Sequence, residues 1–311
     1  MADHGERRRA PRTGIVVVNY GSHDLIERNL AGAVGDGSGT LTVVVVDNFS
    51  TAAEREACEA MCRLARWEFV PSPNVGFGEG VNAGVERLVD LGCDVVVMVN
   101  PDLAVSREAL ERLARLAGER PDRLVAPRIV TPLGNPWGRL GVIALGEGRL
   151  YTHGEDPGSP RWLSGACLAL SVPLWRRLGG FTPGYFMYWE DVDLSYRVQR
   201  AGGELLLDDE LVLVHDAGGT QPGGSAKSTM FTYYNCRNRL VFAALNLDRS
   251  LRWVWIRTSG AELRRAIGRA NQTSTAAKLT RALWPALVGT ASGLAFLAGV
   301  RPSSSTGRRI R

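Results

Sequence analysis

Asp94-Val95-Val96-Val97-Met98-Val99-Asn100-Pro101-Asp102 is the stretch on which the fold turns. Five consecutive apolar residues with no polar alternation read as a strand buried on both faces, the habit of a parallel sheet covered by helices. The run then stops at a polar turn. Working outward, the same pattern recurs upstream. Ile15 to Val18 ends at Asn19-Tyr20-Gly21-Ser22, Leu41 to Val46 ends at Asp47-Asn48-Phe49-Ser50, and Phe69-Val70 runs into Pro71-Ser72-Pro73-Asn74-Val75-Gly76-Phe77-Gly78-Glu79-Gly80. Between them the periodicity predicts helices from about His23 to Ala31, Ala52 to Ala65, Val81 to Leu91 and Arg107 to Ala117. Strands alternating with helices define an α/β fold with a mostly parallel central sheet. Ligands of such sheets bind at the carboxyl ends of the strands, so Asn19, Asp47, Asn74 and Asp102 should meet on one edge. Any one of them alone is equally well read as a helix N-cap.

Beyond Leu124 the alternation breaks. Leu124 to Val130 and Trp162 to Ser171 are expected as strands, residues 132–160 as a loop region or small ribbon, and Val172 to Leu178 as a short helix. A helix should run from Asp191 to about Arg200 and a strand from Leu205 to Val214, ending at His215. Tyr233 to Leu247 and Leu251 to Arg269 read as helices, the second carrying Arg252, Arg257, Arg264, Arg265 and Arg269. Residues 282–300 are uncharged, just reaching the ~17–25 residues of a membrane span. Pro285, three glycines and flanking cations (Arg281; Arg301, Arg308, Arg309) favour an interfacial or core-packing helix over a span.

Composition sets limits. The chain has 311 residues, 45% hydrophobic, with a net charge of +5. That length suits one large domain with appendages. No basic motif interleaved with aromatics and no zinc-finger spacing occurs, which argues against nucleic acid as a partner. The cations gather at Arg7-Arg8-Arg9, Arg12 and beyond Arg249, a distribution suited to an anionic membrane surface or a phosphorylated substrate. Five scattered cysteines (Cys58, Cys62, Cys93, Cys167, Cys236) without a Cys-x-x-Cys pair point to a reducing compartment. Cys58 and Cys62 lie one helical turn apart but have no neighbouring ligand, so they read as ordinary thiols. The basic N-terminus lacks the apolar core of a signal peptide. The expectation is a cytoplasmic protein, peripheral on the inner face of the membrane.

The chemistry-bearing string is Trp189-Glu190-Asp191-Val192-Asp193, three carboxylates in four residues after the aromatic run Tyr185-Phe186-Met187-Tyr188. The bland explanation is an acidic first turn favoured by the helix dipole. Carboxylates beside aromatic rings are costly unless paired, however, and one kept partly desolvated can serve as a general base near neutral pH. At the strand ends, Asp47 is placed to accept from the N3–H of a pyrimidine, with Asn19 and Tyr20 completing a base pocket. Asp102 and His215, each ending a strand, are a candidate pair for Mg²⁺ or Mn²⁺ against phosphate oxygens. Gly78-Glu79-Gly80-Val81-Asn82-Ala83 matches a dinucleotide fingerprint but does not follow the first strand, so it carries little.

Taken together the residues resemble the family-2 glycosyltransferases with the GT-A fold, in particular the rhamnosyltransferase-like branch. The resemblance runs from about Gly14 to Leu247. Its carriers are Val18-Asn19-Tyr20, Val46 to Ser50, Asn74-Val75-Gly76-Phe77-Gly78 with Asn82, Asn100-Pro101-Asp102, Trp189 to Asp193, His215 with Gly218-Gly219-Thr220, and Arg237-Asn238. It implies a GT-A domain over 14–247, after a basic N-terminus of 1–13 and before a basic helical extension of 248–311.

The function implied is inverting transfer of a sugar, such as rhamnose or another deoxysugar or hexose, from a UDP- or dTDP-sugar to an acceptor hydroxyl in cell-wall or glycoconjugate synthesis. The acceptor would be a lipid-linked glycan or a small molecule. Asp191 would be the base, with Glu190 and Asp193 positioning the acceptor or bracing the site. Val18, Asn19, Tyr20, Asp47, Asn74, Gly76, Gly78, Asn82, Asn100 and Asp102 would line the donor. Asp102 and His215 would hold Mg²⁺ or Mn²⁺, and Trp189, Gly165 and Arg237 would touch acceptor or phosphate. Two departures stand out: Asn100 fills the first position of the family's Asp-x-Asp motif, and Thr182-Pro183 replaces the acid common after Gly-Gly-Phe. Two other functions compete. A sugar-1-phosphate nucleotidyltransferase would need a Gly-rich basic loop after the first strand, which Asn19 to His23 does not supply. A non-catalytic nucleotide-sugar binder would have no need of Asp102, Asp191 and His215 together.

Overall fold

A sheet built from valine-rich runs needs cover on both faces, and the structure supplies it. The computed structural model describes residues 11–35, 41–138, 140–154, 156–216, 229–269 and 282–299. Gly218-Gly219-Thr220, Arg7 to Arg9, Lys278, Arg281 and the cations beyond Arg301 lie outside these residues.

Strands β1 (Thr13–Asn19), β2 (Leu41–Asn48), β3 (Glu68–Ser72) and β4 (Val95–Val99) alternate with helices α1 (His23–Val34), α2 (Ala52–Ala65) and α3 (Phe77–Asp90). After β4 come β5 (Leu103–Ala104), α4 (Arg107–Glu119), β6 (Arg123–Val130) and β7 (Pro136–Gly138). A small antiparallel sheet follows, from β8 (Gly141–Ala144), β9 (Arg149–Tyr151) and β10 (Arg161–Trp162). The chain returns through β11 (Cys167–Ser171), α5 (Val172–Leu178), α6 (Glu190–Arg200) and β12 (Glu204–His215). It closes with α7 (Thr229–Asn246), α8 (Arg249–Arg257), α9 (Ser259–Arg269) and α10 (Trp284–Gly299).

The main sheet runs β3-β2-β1-β4-β11-β6-β12-β5, with β7 beside β6. The pairs β3/β2, β2/β1, β1/β4 and β6/β12 are parallel, whereas β11 is antiparallel to both its neighbours. The pairs β12/β5 and β6/β7 are antiparallel as well, so the sheet is mixed, with its longest pairings the parallel ones. One apolar core lies on each face, and a third gathers Tyr185, Trp189, Tyr196, Phe242 and Trp255 under α6, α7 and α8. Trp255, beyond the expected boundary at residue 247, is fully buried there. Cys58 and Cys62 are buried in the first core, as thiols filling space.

The structure corrects several boundaries. Helix α3 starts at Phe77 instead of Val81, so Gly78 and Asn82 are helical and no loop spans them. The Gly78–Ala83 fingerprint is thus the opening of α3, with Gly80 against Val18 of the sheet and Gly78 against Phe181. Residues 162–171 are not one strand: β10 and β11 are separated by the turn that carries Gly165. The long helix expected from Leu251 to Arg269 breaks at Thr258, the C-cap of α8. The 132–160 region holds a real ribbon, whose short strands carry too few residues for an alternation to show.

Candidate active site

The carboxyl ends of β1 and β2 carry an interlocked polar network. Asn19 and Asp47 are register partners on the paired strands, and the Asn19 amide donates to Asp47 at 3.1 Å and to Glu54 at 3.2 Å. Arg55 Nε donates to the other Asp47 oxygen at 2.6 Å, and its terminal nitrogen to the Ser72 carbonyl at 2.5 Å. Glu54 also accepts from the backbone and ring of His23 at 3.0 and 2.8 Å. Burial would raise the Glu54 carboxyl, but these hydrogen bonds outweigh it and hold the group below its ordinary range. Asp47 is fully covered, with both oxygens taken. The expected bond from a pyrimidine N3–H therefore has no open oxygen unless Arg55 turns away. Tyr20 and Phe49 remain exposed at the mouth, with the Arg55 guanidinium 4.7 Å over the Phe49 ring.

The turn before α3 is fixed by contact with the acidic segment. Asn74 Oδ1 accepts from Gly76 N–H at 3.3 Å, and Phe77 N–H donates to the Phe186 carbonyl at 2.9 Å. Gly76 sits at φ +99°, where a Cβ would lie 2.2 Å from that same carbonyl oxygen, so only glycine fits. Asn82, expected at the donor, spends its amide on Phe181: the N–H donates to Asn82 at 2.9 Å, and Asn82 donates to the carbonyl at 3.0 Å. It clamps the 180–182 segment.

Two successive non-glycine residues, Tyr188 (φ +67°) and Trp189 (φ +78°), adopt the left-handed region immediately before the carboxylates. Such conformations cost of order 1–3 kcal/mol each and persist only when the surroundings impose them. The fully buried Asn238 of α7 supplies the constraint, donating from one amide nitrogen to the carbonyls of Met187 (2.9 Å) and Tyr188 (2.8 Å). Trp189, expected to touch the acceptor, is instead buried against Phe242 and Trp255 and donates to Asn235 at 3.2 Å. Arg237, expected at phosphate, donates to the Gly184 carbonyl at 2.9 Å.

The twist turns the three acids to different fates. Asp193 is buried and accepts from Thr182 (2.6 Å), Arg197 (2.7 Å) and Asn246 (2.7 Å), a brace with little capacity left for a ligand. Thr182, the residue that departs from the family's acid, is thereby committed to Asp193. Glu190 is buried, and its Oε2 has no partner among the described residues. Burial first, then the charges of Asp191 and Asp193, push its carboxyl well above the ordinary range. Asp191 stays half-buried, accepting from Gly165 N–H and Val192 N–H at 2.8 Å each. Burial raises its carboxyl despite the two N–H bonds that oppose the rise. Gly165 is therefore a support of Asp191, and a Cβ there would press on Asp191 at 3.1 Å.

Asp102 and His215 meet because β12 pairs with β5, with His215 opposite Leu103. The Asp216 N–H also donates to the Asp102 carbonyl at 3.0 Å. His215 Nε2 lies 3.0 Å from Asp102 Oδ1, yet neither ring nitrogen makes a well-formed hydrogen bond among the described residues. Trp137 of β7 lies over the imidazole with centroids 4.8 Å apart. No group of three or more His, Cys, Asp or Glu is placed to hold an ion among the described residues, so the expected centre rests on the Asp102–His215 pair. A buried carboxylate beside an imidazole with unsatisfied nitrogens fits a cation whose other ligands are phosphate oxygens, as Mg²⁺ is usually bound.

Two adjacent residues join the halves of the site. Ala166 accepts from Asn100 N–H at 2.9 Å, while Gly165 donates to Asp191 at 2.8 Å. The Asn100–Asp102 turn and the half-buried carboxylate are thus held by one backbone segment. Val18 is buried in the sheet core, so only its backbone can reach a donor. Sequence reasoning missed Arg55, Glu54, His23 and Trp137, whose roles come from tertiary contacts. Asn238 stood within a recognised motif, but nothing in its spacing showed that it grips residues fifty positions upstream.

The sequence profile of Glycosyl transferase family 2 matches residues 14–188. The chain belongs to that family. It is 27% identical over 199 residues to "Low-salt glycan biosynthesis hexosyltransferase Agl10" of Haloferax volcanii, covering 60% of this chain and 61% of that protein. It is 28% identical over 225 residues to the N-acetylglucosaminyl-diphospho-decaprenol L-rhamnosyltransferase of Mycobacterium tuberculosis, covering 60% of this chain and 70% of that one. The matched region thus spans about three-fifths of the haloarchaeal relative's length. In fold the chain resembles the crystal structure of GalNAc-T7 with UDP, GalNAc and Mn²⁺, with a TM-score of 0.59 at 14% identity, covering 88% of this chain and 56% of that one. The rhamnosyltransferase-like, GT-A expectation stands.

Proposed function

We propose that this protein is an inverting glycosyltransferase. It would move a hexose or deoxyhexose, rhamnose among them, from a UDP- or dTDP-sugar to a hydroxyl of a lipid-linked glycan at the cytoplasmic face of a membrane. The supporting observation is the coupling through Gly165 and Ala166, which holds a half-buried carboxylate and an Asp–His pair on one segment. Asp191 takes the proton from the acceptor hydroxyl as its oxygen forms the bond to the anomeric carbon. The bond from that carbon to the diphosphate breaks on the opposite face, so a single displacement inverts the centre. Asp102 and His215 would hold Mg²⁺ or Mn²⁺, whose positive charge would be supplied where the diphosphate departs. Burial pushes the Glu190 carboxyl well above its ordinary range, which disfavours a second negative charge beside the base. Asp193 and Asn82 keep the walls in place. The lipid-linked acceptor takes support from the name of the mycobacterial relative.

The test is thermal unfolding with UDP, dTDP and GDP, each with Mn²⁺ and with EDTA, on the wild type and Asp102→Asn. A ligand at about a hundred times its Kd should stabilise by ~2.7 kcal/mol. A metal-dependent shift with one pyrimidine diphosphate, lost in Asp102→Asn, is the expected result. No shift with any nucleotide would remove the donor-site reading.

A further inference from the structure

We infer that the outer face of α10 is a lipid-docking surface that seats the protein on an anionic membrane. The inference deepens the proposed function by assigning its membrane partner to named residues. Helix α10 has 16 residues and no charge. Its inner side is fitted to α7 by two glycines one turn apart: a Cβ at Gly289 would lie 2.3 Å from the Tyr233 carbonyl oxygen, and one at Gly293 2.7 Å from that of Arg237. The outer side is a stripe at helical spacing, Trp284, Leu287, Val288, Ala291, Leu294 and Ala295, all exposed. Trp284 is 67% exposed, Leu287 43% and Leu294 37%. A continuous apolar stripe of this kind marks an interaction surface.

Charge selects the occupant. Residues 248–311 hold twelve Lys/Arg and two Asp/Glu, so the net +5 of the chain divides into +10 there and −5 over residues 1–247. Apolar side chains, an exposed tryptophan and concentrated cations are the composition of a segment lying in the headgroup region of an anionic bilayer. A second copy of the chain would bring the same positive charge against it. Crossing the bilayer is a poor alternative, since 16 residues make a helix of about 24 Å against a hydrocarbon core of about 30 Å. No helix among the described residues is long and apolar enough to span.

The packing sets this surface on the far side of α7 from the site. Gly289 meets Tyr233 and Gly293 meets Arg237, so α10 runs parallel to α7. Trp284 therefore lies toward the amino end of α7. At that end Phe231 packs on Tyr188 and Tyr234 stacks on Phe186, both in the segment that aims Asp191. Tyr233, Arg237 and Leu240 face α10, whereas Phe231, Tyr234, Asn235 and Asn238 face the 186–189 segment, so α7 stands between the docking face and the acids.

The experiment is co-sedimentation of the full chain with phosphatidylcholine vesicles, alone or with about a third phosphatidylglycerol, at low and high salt. It compares the wild type with Leu287→Gln/Leu294→Gln, and unfolding temperature and the nucleotide-induced melting shift serve as folding controls. Expected is binding that needs the anionic lipid, falls with salt, and weakens about tenfold or more in the variant with both controls unchanged. Absent wild-type binding, or variant binding equal to wild type, overturns the assignment. A dimer that the same pair of substitutions dissociates, with no vesicle binding, overturns it in favour of a second copy. Vesicle binding is read without donor or acceptor, so it can stand while sugar transfer fails, and the converse.

Discussion

Asn238→Ala should uncouple the strained turn from the helix that holds it. The Asn238 amide makes three hydrogen bonds, donating to Met187 and Tyr188 at 2.9 and 2.8 Å and accepting from Arg237 at 2.5 Å. At about 0.5–1.5 kcal/mol each, their loss costs roughly 1.5–4.5 kcal/mol. In a domain of this size 1 kcal/mol moves Tm by about 2–4 °C, so a drop of several degrees is expected. The larger consequence is kinetic. Without the clamp, Tyr188 and Trp189 can leave φ +67° and +78°, and that pair sets where α6 begins and where Asp191 points. A misplacement of about 1 Å in a reacting group costs on the order of a hundredfold in rate. Differential scanning fluorimetry and steady-state release of nucleoside diphosphate would measure both effects. The expected result is a fall in kcat of tenfold or more with donor KM nearly unchanged, because the β1–β2 network is not in contact with Asn238. A kcat within twofold of wild type and a Tm within about a degree would refute the clamp.

Two further outcomes follow from the same geometry. Glu190 has its folded carboxyl raised well above the ordinary range, so it favours the folded state at low pH and loses that contribution as pH rises through the raised value. Glu190→Gln should therefore flatten the alkaline fall of Tm, checked by melting curves from pH 5 to 9; a variant curve parallel to wild type would contradict this. Gly76→Ala places a Cβ 2.2 Å from the Phe186 carbonyl oxygen at φ +99°, which should cost about 2 kcal/mol or more in urea unfolding. A midpoint equal to wild type would show that the 74–77 turn yields freely.

The parallel half of the sheet was legible because β1, β2 and β4 are buried on both faces and each runs into a polar turn. Asp102 and His215 could be paired from sequence for the same reason, since both end strands. The antiparallel β11 was not legible in its direction: Cys167–Ser171 carries no mark of strand polarity, which is settled by the chain's return path. The start of α3 was missed because Gly76 and Gly78 read as loop, whereas Gly76 serves a single close contact and Gly78 packs on Phe181. The acidic string announced chemistry but not its division of labour. Asp193 became a brace through Thr182 and Asn246, residues eleven before it and fifty-three after it. Trp189 looked like a ligand contact by its neighbours, yet its left-handed backbone turns the ring into the third core. Long-range partners decide such roles, and no local pattern carries them.

The most direct test is Asp191→Asn, which keeps the side-chain shape and removes the base. Turnover of the pyrimidine-nucleotide sugar that stabilises the wild type should be followed beside the melting shift given by the corresponding diphosphate. The account predicts a loss of kcat of about a hundredfold or more, within the ~10²–10⁴ typical of a general base, with the nucleotide-induced shift retained. Turnover within a few-fold of wild type would show that Asp191 does not take the proton, and the mechanism proposed here would fall.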